Sequence, residues 1–316
     1  MGYGPNTVPR EDTTVPADTL RRAMKGLGTD EATLIGVLAH YPATSLTHLK
    51  STYSQRHHRS LEKDIISETS SDFREALLAI LRGPLEQDVY LLYKALDGLG
   101  TNEDVLDDIL LARSNADMNA IKQAYHATYH KTLEAKVSGD LSGKTDRLFA
   151  MVLSATRQED SVPVLPQAVE TDVTELHRAT EGQYGTDQLT VCSILTSRSD
   201  GQIRAISHAY QYKYRISLEQ MIQKEFSGHM EHALIRIVRA ANDRAMADAQ
   251  LIDDTMHIVG TNDSRLIERV VRLHWNREHT GQVKGAYGVR YKRDLVERIR
   301  KKLSGDYERV LVAMLQ

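Results

Sequence analysis

The sequence predicts an all-α protein of four homologous repeats with about five helices each, and three observations lead there. A glycine-bearing string recurs four times, a short serine-containing string closes each recurrence, and the stretches between them carry apolar residues at helical spacing with few breakers. The glycine strings are Gly26-Leu27-Gly28-Thr29-Asp30, Gly98-Leu99-Gly100-Thr101-Asn102, Gln183-Tyr184-Gly185-Thr186-Asp187 and Ile258-Val259-Gly260-Thr261-Asn262. The interval between the second and third is the longest. Its excess falls on residues 158–172, where Pro163 and Pro166 are expected to break any helix crossing them. That stretch reads as a connector dividing the chain into two pairs of repeats. The division is 1–16 for a short N-terminal segment, 17–83 and 84–157 for repeats one and two, 158–172 for the connector, and 173–243 and 244–316 for repeats three and four.

Each element follows from its apolar spacing. In repeat one, Leu34, Ile35, Val37 and Leu38 predict a helix after the glycine string, Leu46, Leu49 and Tyr53 the next, and Leu61, Ile65 and Ile66 a third. Pro42 separates the first two, because the residue before a proline is pushed out of the helical region. One helix before the glycine string and one after the closing string complete the five. The closing strings are Glu68-Thr69-Ser70-Ser71, Asp140-Leu141-Ser142-Gly143, Glu225-Phe226-Ser227-Gly228 and Lys302-Leu303-Ser304-Gly305. Amphipathic stripes follow them: Phe73, Ala76, Leu77, Ile80 and Leu81; Leu148, Phe149, Val152 and Leu153; Met230, Ala233, Leu234, Ile237 and Val238; Tyr307, Val310, Leu311, Met314 and Leu315. A helix with one apolar stripe needs neighbours to bury it.

Composition narrows the function classes. Forty basic against 43 acidic residues leave a formal charge of -3, which predicts no nucleic-acid partner and no strong pull toward an anionic membrane from charge alone. The longest apolar run is about six residues, far short of the ~20 that span a bilayer, and no charged-then-apolar signal pattern opens the chain. The single Cys192 has no internal partner and sits among apolar neighbours, so a buried thiol and a reducing compartment are expected. Gly2 stands where myristoylation needs it, but Tyr3 and Asn6 fit that signal poorly. The stretch before residue 17 is too brief for a folded regulatory domain.

The chemical signal lies in a repeated separation. Glu68, Asp140 and Glu225 each follow the glycine at Gly28, Gly100 and Gly185 by 40 positions. Glycines in an inter-helix loop accept positive φ and allow carbonyl oxygens to turn outward together. Such carbonyls, joined by one carboxylate, make a hard-oxygen cage that suits Ca2+, whereas Mg2+ demands tighter octahedral geometry and Zn2+ prefers His or Cys. The cage supplies about five of the 6 to 8 oxygens that Ca2+ takes, which leaves positions for water or an external oxygen. A plainer reading has the glycines capping helices and the acids at the N-terminal ends of the closing helices, where the helix dipole favours them. It does not explain the uniform separation.

The Met24-Lys25-Gly26-Leu27-Gly28-Thr29-Asp30 loop, its three relatives and the acid 40 positions on resemble the annexin family over residues 17–316. The resemblance implies a slightly curved four-repeat disc that binds Ca2+ on its convex face and docks there on acidic phospholipids. It implies a first site of the Met24, Gly26 and Gly28 carbonyls with Glu68, and a second of the Leu96, Gly98 and Gly100 carbonyls with Asp140. A third, variant site takes the Thr180, Gln183 and Gly185 carbonyls with Glu225, and Tyr184 is expected to touch the lipid interface. Repeat four departs from the pattern: Ile258 replaces the first glycine and Lys302 the acid, so no comparable calcium site is expected there. Asp97 replaces the usual basic residue of the second loop, which argues against headgroup contact by that side chain.

The expected function is calcium-dependent, peripheral binding to acidic phospholipid membranes from the cytoplasm when calcium rises, with steep calcium dependence from several sites. The alternative is a helical scaffold for protein or cytoskeletal partners with secondary membrane contact. No enzyme is expected, since the chain lacks Gly-x-Gly-x-x-Gly, Gly-x-Ser-x-Gly, a phosphate-binding Gly-Lys-Ser/Thr loop and zinc-ligand spacing. Four further features have plain readings. Asp88 and Arg113, which match charged channel-lining positions of the family, read as a buried ion pair, and Ile235-Arg236-Ile237, which resembles an actin-contact motif, reads as part of a core stripe. His126 and His130 read as surface histidines, and the basic run from Arg290 to Lys302 as a solvated face.

Overall fold

The expected stripes become helices wherever breakers and caps delimit them. The computed structural model describes residues 3, 12–26, 28–98, 100–181, 185–256 and 260–316. Repeat one contains α1 (Thr14–Ala23), α2 (Glu31–Leu38), α3 (Leu46–His57), α4 (Leu61–Glu68) and the first half of α5 (Ser71–Leu96). Repeat two takes the second half of α5 with α6 (Glu103–Leu110), α7 (Asn115–Tyr129), α8 (Leu133–Asp140) and α9 (Gly143–Leu153). Repeat three has α10 (Pro166–Thr180), α11 (Gln188–Ser197), α12 (Asp200–Tyr214), α13 (Leu218–Glu225) and α14 (Gly228–Asn242). Repeat four has α15 (Arg244–Asp254), α16 (Asp263–His274), α17 (Arg277–Tyr291), α18 (Leu295–Lys302) and α19 (Gly305–Met314). There is no strand among the described residues.

The same devices recur at matching places. Asp30, Asn102, Asp187 and Asn262 cap α2, α6, α11 and α16 by accepting the backbone N–H three residues on, satisfying a donor the helix start leaves open. Pro42 precedes a single 3-10 turn, Ala43–Ser45, between α2 and α3. Tyr53, Tyr125, Tyr210 and Tyr287, one on each of α3, α7, α12 and α17, are fully buried anchors. The predicted core positions are largely confirmed, but Ile66 is exposed because its neighbour Ile65 takes the inward face of α4.

Two helices merge at the junction of repeats one and two. Within α5, Gly83 has φ 76° and ψ 174°, a combination open essentially only to glycine, and Pro84 follows it. A Cβ at Gly83 would also meet Leu46 Cδ1 at 3.3 Å. Gly83→Ala is therefore expected to destabilise the fold by about 2 kcal/mol, read as a lower chemical-denaturation midpoint.

The chain forms two compact units, Asp88–Ala247 and Tyr3–Gln87 with Asp248–Gln316. The first holds repeats two and three and the second holds repeats one and four, so the units do not follow the pairing expected from the connector. Hydrogen bonds explain why the connector joins what it was expected to part. Gln158 N–H donates to Ser197 O at 2.8 Å, Arg157 Nε donates to Arg198 O at 2.8 Å, and Asn115 Nδ2 donates to Arg157 O at 2.7 Å. Arg157 also pairs with Asp200. Pro166 opens α10 instead of breaking it, at the position where the missing N–H costs nothing.

Candidate metal centre: the inter-helix loops

One main-chain hydrogen bond closes all four loops. The N–H of Asp30, Asn102, Asp187 and Asn262 donates to the carbonyl of Ala23, Ala95, Ala179 and Thr255 at 2.9, 3.1, 2.8 and 2.9 Å. The next residues, Met24, Leu96, Thr180 and Met256, stand at the mouth of each loop, and the third loop is one residue longer than the others. Gly28, Gly100, Gly185 and Gly260 have φ of 85, 88, 84 and 83°, so the same glycine of each loop holds a conformation that a side chain would strain. Gly26 is also at positive φ, at 116°. A Cβ at Gly98 would lie 3.8 Å from the Gly100 carbonyl oxygen. Gln183, Tyr184 and Ile258 lie outside the described residues.

The acids do not occupy the helix starts that the plainer reading gave them. Glu68, Asp140 and Glu225 are the last residues of α4, α8 and α13. A carboxylate there faces the negative end of the helix dipole, an unfavourable placement of about 0.3–1 kcal/mol that a nearby cation reverses. In repeat four the same terminal position on α18 holds Lys302, where the dipole favours a positive charge.

Threonines tie the first and third loops to their acids. Thr29 Oγ1 donates to the Glu68 carbonyl at 3.1 Å, and Thr186 Oγ1 donates to Glu225 Oε2 at 2.5 Å. Gln188 Nε2 adds a bond to the Glu225 carbonyl at 3.4 Å. Their signal was present as the threonine after the last glycine of every string. For the second loop the relation to Asp140 rests on the shared frame, with Lys136 Nζ 3.9 Å from the carboxylate. Asp30 and Asp187 are committed to capping: bonds from Thr33 and Thr190 hold both carboxyls below their usual range. No group of three His, Cys, Asp or Glu side chains suited to a metal is found among the described residues, so a cation at these loops would draw on main-chain oxygens.

A family model described as Annexin matches residues 16–80, 87–152, 171–237 and 247–314. The chain belongs to the annexin family. It is 41% identical to annexin C1 of Cryptococcus neoformans over 98% of its length and 67% of that protein's, and 36% identical to annexin A7 of Dictyostelium discoideum over 95% and 64%. The chain thus spans about two thirds of the length of these relatives. A solved structure described as calcium-bound annexin (Sm)1 superposes with a TM-score of 0.82 at 25% identity, covering 99% of this chain and 93% of that one. The annexin family and fold support calcium-dependent membrane binding in general terms.

The remaining features of this annexin take structural roles. Arg113 Nη2 donates to Asp88 Oδ2 at 2.5 Å and its Nε to Ile109 O at 2.7 Å, forming the expected buried pair. Ile235 and Ile237 are buried, and Arg236 pairs with Asp108. His126 is exposed, and His130, also exposed, ends α7 in the left-handed conformation. Burial pushes the Cys192 thiol up to about 12, which makes it a poor nucleophile. The nearby Asp97 carboxylate, beside the second loop, pushes the Tyr93 hydroxyl's pKa up. Among the described residues no helix is long and apolar enough to cross a membrane.

Proposed function

We propose that this annexin binds acidic phospholipid membranes peripherally, with Ca2+ bridging its first three loops to lipid headgroups. The ligands are the carbonyls of Met24, Gly26 and Gly28 with Glu68, of Leu96, Gly98 and Gly100 with Asp140, and of Thr180, Gln183 and Gly185 with Glu225. The observation that carries this reading is the recurrence, at the end of α4, α8 and α13, of a carboxylate that the helix dipole disfavours, paired with a glycine turn of common φ. A Ca2+ held there lacks a full oxygen shell, and a lipid phosphate or carboxylate completes it. Without the ion a chain of charge -3 gains little from an anionic surface. The binding is not catalysis, and it acts at the cytoplasmic face when calcium rises.

Sedimentation with phosphatidylserine/phosphatidylcholine vesicles tests the reading. The chain is expected to pellet in calcium, to stay in the supernatant in chelator, and to ignore pure phosphatidylcholine. Equal pelleting with and without calcium would reject it in favour of a scaffold whose membrane contact is incidental.

A further inference from the structure

The fourth loop differs from the others in more than its lysine. Its mouth carbonyl, on Met256, accepts a hydrogen bond from Arg298 Nη2 at 2.8 Å. Met256 corresponds to Met24, Leu96 and Thr180, because each directly follows the residue whose carbonyl closes its loop. A guanidinium on a carbonyl is a charge-assisted bond, stronger than a neutral one. Arg298 lies four residues before Lys302 on α18, so the two basic side chains share one face at the helix end. At the matching places on α4, α8 and α13 the chain has Asp64, Lys136 and Met221. Asp64 is turned to Tyr53 and Arg59, and Met221 is buried in the core.

We propose that Arg298 is the resident cation of the fourth loop: its guanidinium occupies the carbonyl that Ca2+ takes in the other three, and it excludes the ion independently of Lys302. The inference rests on the reading of the Met24, Leu96 and Thr180 carbonyls as calcium ligands. Supplying a carboxylate by Lys302→Glu does not by itself open the site, because the Met256 carbonyl stays engaged by the Arg298 guanidinium. Removing Arg298 as well recreates the Met221 and Glu225 pair of repeat three.

Two measurements on the full chain test this. The first is flow dialysis of Ca2+ with phosphatidylserine vesicles, using the wild type, Lys302→Glu and Arg298→Met/Lys302→Glu. The Met/Glu double variant is expected to bind one more Ca2+ per chain than the wild type, while Lys302→Glu matches it. A fourth ion in Lys302→Glu alone, or none gained in the Met/Glu variant, overturns the proposal. The second measurement needs no calcium. In Arg298→Met, exchange of the Asn262 amide, which closes the loop on Thr255 O, is expected to speed up about tenfold. Unchanged exchange overturns the clamp, whereas faster exchange in Arg298→Met together with a wild type that binds no Ca2+ upholds the clamp and rejects only the calcium reading beneath it.

Discussion

Replacing Glu68, Asp140 and Glu225 together by alanine is expected to abolish calcium-dependent attachment to phosphatidylserine vesicles. Each carboxylate is the one charged ligand of its proposed set, and calcium affinity follows ligand charge. The remaining carbonyls are neutral and compete poorly with water for the ion. Because linked contacts multiply, a single substitution weakens vesicle binding less than the loss of all three, and avidity of about 10²–10⁴ disappears with the last site. The fold should be spared. The three acids end their helices against the dipole, so in chelator the triple variant should unfold at a temperature equal to or slightly above the wild type. Calorimetric counting of Ca2+ with the same vesicles reads the effect directly, and a triple variant that still pelleted like the wild type in calcium would contradict the ligand assignment.

His229→Ala should cost about 3 kcal/mol of stability, and the cost should depend on pH. His229 on α14 is buried with Asp107 of α6: Nε2 lies 2.9 Å from Oδ1, Glu103 stands 3.4 Å from Nδ1, and the Phe149 ring centroid is 5.2 Å away. Burial pulls the imidazole's pKa down, but the bond and charge of Asp107, helped by Glu103 and Asp104, prevail and raise it. Removing the imidazole leaves Asp107, a carboxyl whose pKa desolvation already pushes up, buried beside Asp108. A histidine whose folded pKa is raised contributes its full stability below the ordinary value of about 6.5 and loses it as pH rises through the folded value. His274 works in the opposite sense, because burial lowers its pKa and its contribution is lost as pH falls. The difference between wild type and variant isolates His229: it should be largest near pH 6 and shrink toward pH 9 in urea titrations. A difference that stayed constant across that range would mean the imidazole is neutral throughout.

Much of this fold could be read from residue order. A stripe such as Ala76, Leu77, Ile80 and Leu81 names both its helix and its buried face, and Asp30 before Glu31 marks where a helix begins. The glycines at Gly28, Gly100, Gly185 and Gly260 announce a turn of one form because only a residue without Cβ adopts that φ at little cost. What the order of residues hid was direction and partner. Whether Glu68 opens one helix or ends another depends on where α4 stops, and a Ser-rich string fits either reading. The pairing of repeat two with repeat three depends on bonds such as Arg157 to Arg198 O, 41 residues apart, which no local pattern encodes. Arg298 looked like one cation in a solvated run because its acceptor, the Met256 carbonyl, is 42 residues away and is a backbone atom without a residue-specific signature.

The division of the chain has a consequence for its synthesis. Repeats two and three occupy an uninterrupted segment, whereas the body holding repeats one and four is split around it. The inserted body can therefore complete itself while the ribosome is still making the last repeat, and repeat one must wait for a partner that emerges last. Closing an unstructured loop of that length would cost about 4–5 kcal/mol in chain entropy. An insert that has already folded removes most of its own wandering from that cost, so acquisition of structure should be sequential, with the inner body first and the split body second.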